Sequence, residues 1–141
     1  MDILDKWSFK YWDPVAIIKK LVAGWRPRNC TTEKDYENSL CRFLRRQFGE
    51  DILVEKQFAQ GRFKADLKIG NDLIIEIKKD LITTSQYHRL IGQLTEYREW
   101  EGMKIVILVV GKKDPSFVSQ LKAFTGDDTA NIFQKLYVVE K

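Results

Sequence analysis

Three residues, Asp66, Glu76 and Lys78, have the types and spacing closest to doing chemistry in this chain. Arg62, Lys64, Asp66 and Lys68 alternate with Phe63, Ala65, Leu67 and Ile69, and Ile74, Glu76 and Lys78 share one face of the next segment. Each run therefore presents a charged row on one side of a strand. A three-residue turn of Gly70, Asn71 and Asp72 pairs Ile69 with Leu73, and counting outward sets Asp66 opposite Glu76. A two-residue turn would send the two acids to opposite faces. In the first register the carboxylates stand about 5 Å apart, which is destabilising unless a cation lies between them. A divalent metal ion would be such a cation. The plainer alternative is a solvated face that balances its own charges, because Lys64 lies diagonal to Glu76 and Lys78 diagonal to Asp66.

Glu37 weighs toward the metal. At 100° per residue it falls within the helical stripe of Tyr36, Leu40, Leu44 and Phe48, and so it points toward the sheet. A carboxylate placed there is costly unless it is paired or binds metal. An ion pair with a base such as Arg62 or Lys64 is its structural alternative. Glu33 lies on the same stripe one turn earlier, at the helix start, where solvation and the helix dipole accommodate it. His88 projects away from the apolar stripe of its own helix and reads as a surface histidine. Lys79 and Asp80 read as solvated, with Lys79 within reach of a phosphate.

The elements that must position these groups follow from the pattern. Asp13-Pro14 starts a short amphipathic helix that Gly24 terminates. Thr31-Thr32, with Glu33 and Asp35 in the first turn, starts a second helix that runs to about Phe48 and closes at Gly49. Arg42, Arg45 and Arg46 fall on its outer side. Three strands follow, Ile52 to Phe58, Arg62 to Ile69 and Leu73 to Lys79, as an antiparallel meander. Thr83-Thr84-Ser85 opens a helix through about Trp100, with Tyr87, Leu90, Ile91 and Leu94 inward and Gln86, Arg89, Gln93, Tyr97 and Trp100 along one flank. The continuous run Ile105 to Val110 suits a strand covered on both faces. Asp114-Pro115 opens a last helix ending before Gly126, and Ile132 to Val139 gives a final strand. Ahead of all this, Trp7, Phe9, Lys10, Tyr11 and Trp12 form an aromatic-basic stretch that packs onto the domain or a second copy of it, or else stacks on bases.

Composition narrows the classes. The chain has 141 residues, enough for one core, and a single domain is expected: residues 1–30 as a helical extension, 32–111 as the core, 112–141 as a terminal helix and strand. With 44% hydrophobic and 31% charged residues it is neither disordered nor collagen-like. The apolar run Ile105 to Val110 falls far short of the roughly 18 residues of a membrane helix, so a cytoplasmic chain without a membrane partner is expected. Cys30 and Cys41 with one histidine exclude a disulfide framework and a Cys/His zinc site. A net charge of +4 assists approach to a polyanion. Most of the excess sits in residues 1–50, with ten basic against seven acidic side chains; residues 51–100 are balanced at eight and eight, so the middle of the chain keeps its acids for some purpose.

Glu37 on a helix, Asp66, Glu76-x-Lys78 after a hairpin, and Gln93-x-x-x-Tyr97 on the next helix resemble in order and spacing the PD-(D/E)XK nuclease superfamily. The Gln-Tyr pair is similar to the signature of its RecB-like and phage-exonuclease branches. Glu37-Asn38-Ser39-Leu40, followed by Phe43, Leu44 and Phe48-Gly49, resembles the opening helix of archaeal Holliday-junction resolvases. The resemblance spans about residues 32 to 111, and Ala65 stands where the family name has proline. It implies an α/β fold with a restriction-endonuclease-like core, a mixed central sheet flanked by helices in the order α-βββ-α-β plus a C-terminal α-β. It also implies a deoxyribonuclease dependent on Mg²⁺ or Mn²⁺, with DNA as partner and endonuclease or exonuclease action left open. Asp66 and Glu76 would be the central metal ligands, completed by Glu37 and the carbonyl of Ile77. Lys78 would orient the attacking water and stabilise charge on the phosphate, and Gln93, Tyr97 and Arg89 would contact substrate. A homodimer would suit an enzyme that cuts two strands. The alternative is a module on the same fold that holds nucleic acid without cutting it.

Overall fold

In a computed structural model, which describes residues 13–127 and 134–141, the run Ile105 to Val110 is the middle of a strand and every residue of it is buried. The described elements are α1 (Pro14–Gly24), α2 (Glu33–Phe48), β1 (Val54–Gln60), β2 (Phe63–Ile69), β3 (Leu73–Leu81), α3 (Thr84–Tyr97), β4 (Lys104–Lys113), α4 (Pro115–Thr125) and β5 (Leu136–Glu140). The five strands form one open mixed sheet in the order β1-β2-β3-β4-β5. β1 to β3 are antiparallel neighbours, whereas β4 and β5 extend the sheet in parallel. Parallel neighbours need crossovers, and α3 and α4 supply them.

The order of elements matches the sequence expectation, and the ends differ. β1 begins at Val54, β3 runs on to Leu81, α3 stops at Tyr97 rather than Trp100, and β5 begins at Leu136. The aromatic-basic stretch Trp7 to Trp12 and the expected strand start at Ile132 lie outside the described residues. Local chemistry explains the helix starts. Thr32 and Asp35 form a reciprocal capping box, as do Thr83 and Gln86, and Asp13 and Asp114 cap helices that open on proline. Among the described residues no helix is long and apolar enough to cross a membrane.

Two apolar layers sandwich the sheet. α1 and α2 cover one face, over Leu73, Ile75 and Ile77 of β3 and Val106 and Leu108 of β4. α3 and α4 cover the other, over Ile74, Ile105, Ile107 and Val109. The β1–β2 hairpin does not keep to one layer. Val54, Leu67 and Ile69 lie under α1 and α2, whereas Phe58, Phe63 and Ala65 join the opposite layer. Residues of equal parity share a face in a regular strand, so the hairpin must roll between these points. The roll falls at Gln57 and Asp66. The β1–β2 pairing passes from Lys56↔Leu67 to Phe58↔Ala65 and skips both, and Gln57 has φ +52°. Trp100 anchors the rolled tip, stacked between Phe58 and Phe63 with ring centroids 6.1 and 5.0 Å away and its indole N–H donating to Gln60 Oε1 at 2.8 Å.

Candidate active site

The turn Gly70 to Asp72 pairs Ile69 with Leu73, and the β2–β3 ladder continues through Lys68↔Ile74 to Leu67↔Ile75. There it ends, because β2 rolls away at Asp66. The Asp66 carboxylate replaces the lost ladder bond: its Oδ2 accepts from the Ile77 backbone N–H at 2.8 Å. Fixed this way, Asp66 lies close enough to Glu76 for the two carboxyl groups to share a proton. Glu76 is 6% exposed, and burial together with the Asp66 charge pushes it up to about 8. Asp66 is also raised, chiefly by burial, against the opposing Ile77 N–H, and the Glu37 charge adds to the rise.

Lys78 follows on the same face of β3, its Nζ 3.7 Å from Glu76 Oε1 and its side chain 27% exposed. Lys64 is exposed and contributes its carbonyl, not its ammonium. That carbonyl and Glu76 Oε2, at 2.9 Å, both face the Tyr97 hydroxyl, which also accepts from Gln93 Nε2 at 3.0 Å. Gln93 and Tyr97 are thereby brought to the carboxylate pair. Tyr97 is buried, deeper than the flank where the helical wheel sets it. The reason is Trp100: it lies beyond the end of α3, and its seat between Phe58 and Phe63 draws that end of the helix against the sheet.

Glu37 points inward as expected and is 3% exposed. Its cations are not Arg62, which pairs with Glu99, nor Lys64. Lys34 Nζ donates to its Oε2 at 3.0 Å, Lys56 Nζ stands 4.0 Å away, and Gln57 Nε2 donates to its Oε1 at 2.5 Å. Gln57 escapes sequence reasoning. A left-handed, non-glycine residue in mid-strand costs about 1–2 kcal/mol, and this one stands at the roll beside Asp66, with its amide on the one buried acid of α2. No glycine or asparagine marks the position, and the β1–β2 pairing skips it.

A smaller cleft of about 170 Å³ opens at the end of β3, lined by Glu33, Lys78, Lys79, Asp80, Gln86 and Arg89 among others. Glu33 accepts from the Lys79 backbone N–H at 2.9 Å, which ties the first turn of α2 to β3. Asp80, with φ +68°, accepts from the Lys112 N–H at 2.8 Å, and a Cβ on Gly111 would fall 2.5 Å from its Oδ1, so Gly111 is required there. Arg89 and His88 are exposed, and only Arg89 borders this cleft.

No family model, curated protein or solved structure matches this chain. The chemistry of the donors therefore has to carry the reading. Asp66, Glu76 and Glu37 offer oxygen donors only, the ligand type of hard divalent cations. Two of them, half-buried Asp66 and buried Glu76, form a pair whose joint ionisation is disfavoured, which is what a bound cation would reverse. Among the described residues no three acidic, thiol or imidazole side chains already form a cage: Asp66 and Glu76 are the nucleus, and Glu37 stands beside them with its oxygens on Gln57 and Lys34. Ile77 enters through its amide, on Asp66.

Proposed function

We propose that this chain is a divalent-metal-dependent nuclease that hydrolyses DNA phosphodiester bonds on a restriction-endonuclease-like core. The observation that carries the reading is the pairing of half-buried Asp66 with buried Glu76, with Lys78 Nζ 3.7 Å from Glu76. Folding tolerates such a pair at a cost, and a purely structural domain has no use for it. Asp66 and Glu76 would hold Mg²⁺ or Mn²⁺, with Glu37 directly or through water. A bound divalent ion supplies charge neutralisation at the phosphate and a hydroxide-like nucleophile at neutral pH.

The protein's own residues do the rest. The Ile77 N–H fixes Asp66, and Tyr97, itself held by Gln93, fixes Glu76, so neither carboxylate has to reorganise when substrate arrives. Lys78 is exposed enough to reach a phosphate oxygen and stabilises the charge that develops there. Arg89, at the neighbouring cleft, extends the cationic edge along which a backbone would lie.

The test is incubation of linear, circular, single-stranded and branched DNA with the protein in Mg²⁺, Mn²⁺ or EDTA. Cleavage is expected with metal and not with EDTA, and Asp66→Ala is expected to abolish it while leaving a folded protein. Survival of circular DNA while linear DNA is degraded would make it an exonuclease. Equal cleavage by Asp66→Ala, or none by the native chain with any metal, would remove the proposal.

A further inference from the structure

The outer face of α2 carries cations that neither the fold nor the carboxylate site uses. Trp25, buried just beyond α1, donates its indole N–H to Ser39 Oγ at 3.1 Å and sets its ring edge against Tyr36, with centroids 6.4 Å apart. This lays the segment after α1 along α2 and brings Arg26 and Arg28 beside Arg42 and Arg46. The four arginines border one open cleft of about 400 Å³, and no carboxylate lines it. Arg26 donates to the Ala23 and Trp25 carbonyls at 2.9 and 3.3 Å. Arg28, Arg42 and Arg46 are exposed, and their guanidinium groups make no ion pair or hydrogen bond among the described residues. Arg45 and Arg62 are satisfied by contrast: Arg45 donates twice to the Val54 carbonyl, at 3.2 and 2.9 Å, and Arg62 pairs with Glu99.

We infer that this cleft is a second contact surface for nucleic-acid backbone, separate from the candidate active site. At 100° per residue, Arg42 and Arg46 lie on the side of α2 opposite Glu37, Leu40 and Leu44, so about a helix diameter of 10 Å separates the two surfaces. Guanidinium groups match phosphate oxygens in pairs, and several without counter-ions around one cleft suit a ligand that repeats its negative charge. The lining is too polar for apolar docking to supply the affinity. Such contacts go to phosphates, so they hold nucleic acid without reading its sequence. The inference does not rest on catalysis: the surface holds backbone whether or not the carboxylates cut.

The test uses the full chain in EDTA and follows the anisotropy of a labelled duplex, and of a single strand of the same length, over a series of salt concentrations. Relative to the native chain, Arg28→Ala/Arg42→Ala/Arg46→Ala is expected to bind at least about tenfold more weakly at low salt, with a log-affinity against log-salt slope shallower by about two to three. Its melting temperature is expected to be unchanged, because all three side chains are exposed. The corresponding triple lysine variant retains the slope. Unchanged affinity and slope in the alanine variant would overturn the inference. So would loss of slope in the lysine variant, or arginine-dependent binding of poly-glutamate with none of DNA. Cleavage in Mg²⁺ reports on the carboxylates separately: its absence alongside arginine-dependent binding would remove the nuclease reading and leave this surface standing.

Discussion

The two halves of the sheet obey different rules. From β3 to β5 the strands are parallel, the pairing runs from Leu73↔Lys104 to Lys79↔Val110 in one register, and β4 is apolar on both faces. From β1 to β3 the strands are antiparallel, the hairpin rolls from one layer to the other, the β2–β3 ladder stops at Leu67↔Ile75, and Gln57 takes a left-handed backbone. Asp66 sits in that irregular half, and Glu76 stands on β3, the strand the two halves share. The parallel half follows propensity and burial and gives a rigid platform. The antiparallel half departs from both at Gln57 and Asp66, next to Glu76 and Lys78 on β3, as expected where strain is held in place by the surrounding fold.

Substitutions should therefore separate the halves. Lys78→Ala is expected to lower single-turnover cleavage by about 10²–10³ with little change in DNA affinity or melting temperature, since Lys78 acts on charge that develops in the transition state. Leu108→Ala, in the parallel half, is expected to do the reverse: about 2–5 kcal/mol of stability lost in denaturant titration, with Mn²⁺ affinity retained in the folded protein. A Lys78 variant that cuts normally but melts early would dissolve the distinction.

The same division governs what the sequence could tell. Turn length fixes register, so Gly70 to Asp72 was enough to pair Ile69 with Leu73. Helical spacing was enough to bury Glu37 beside Leu40 and Leu44. The regular half was equally legible, because a run such as Ile105 to Val110 admits few other fates. The roll at Gln57 and Asp66 was not. Its cause lies in Trp100, 43 and 34 positions further along, and periodicity within one strand carries no trace of a distant anchor. Tyr97 lies deeper than the flank of α3 that the helical wheel assigns it for the same reason: a helical wheel knows the helix but not what its end is drawn against.

A smaller effect sharpens the comparison at Gln57. Gln57→Gly and Gln57→Ala both free Glu37, and each is expected to weaken Mn²⁺ binding in calorimetry by about tenfold or more, as loss of an outer partner of a ligand does. Glycine also releases the left-handed strain, so Gln57→Gly is expected to be more stable than Gln57→Ala by up to about 1 kcal/mol. Native Mn²⁺ affinity in both would make Gln57 a matter of folding alone.

The most direct test of the carboxylate site is thermal melting of the native chain between pH 4.5 and 8, with and without Mn²⁺. Glu76 is raised from an ordinary 4.5 to about 8. Between those values the folded state holds a proton that the unfolded chain has lost, so metal-free stability falls as pH rises through this window and levels off above it. Mn²⁺ binds the ionised pair and only in the folded state, so its stabilisation grows with pH over the same window and is largest near pH 8. Glu76→Gln removes both the fall and the metal response. A metal-free melting temperature that does not fall across this range, with no Mn²⁺ shift at pH 8, would contradict a cation site at Asp66 and Glu76.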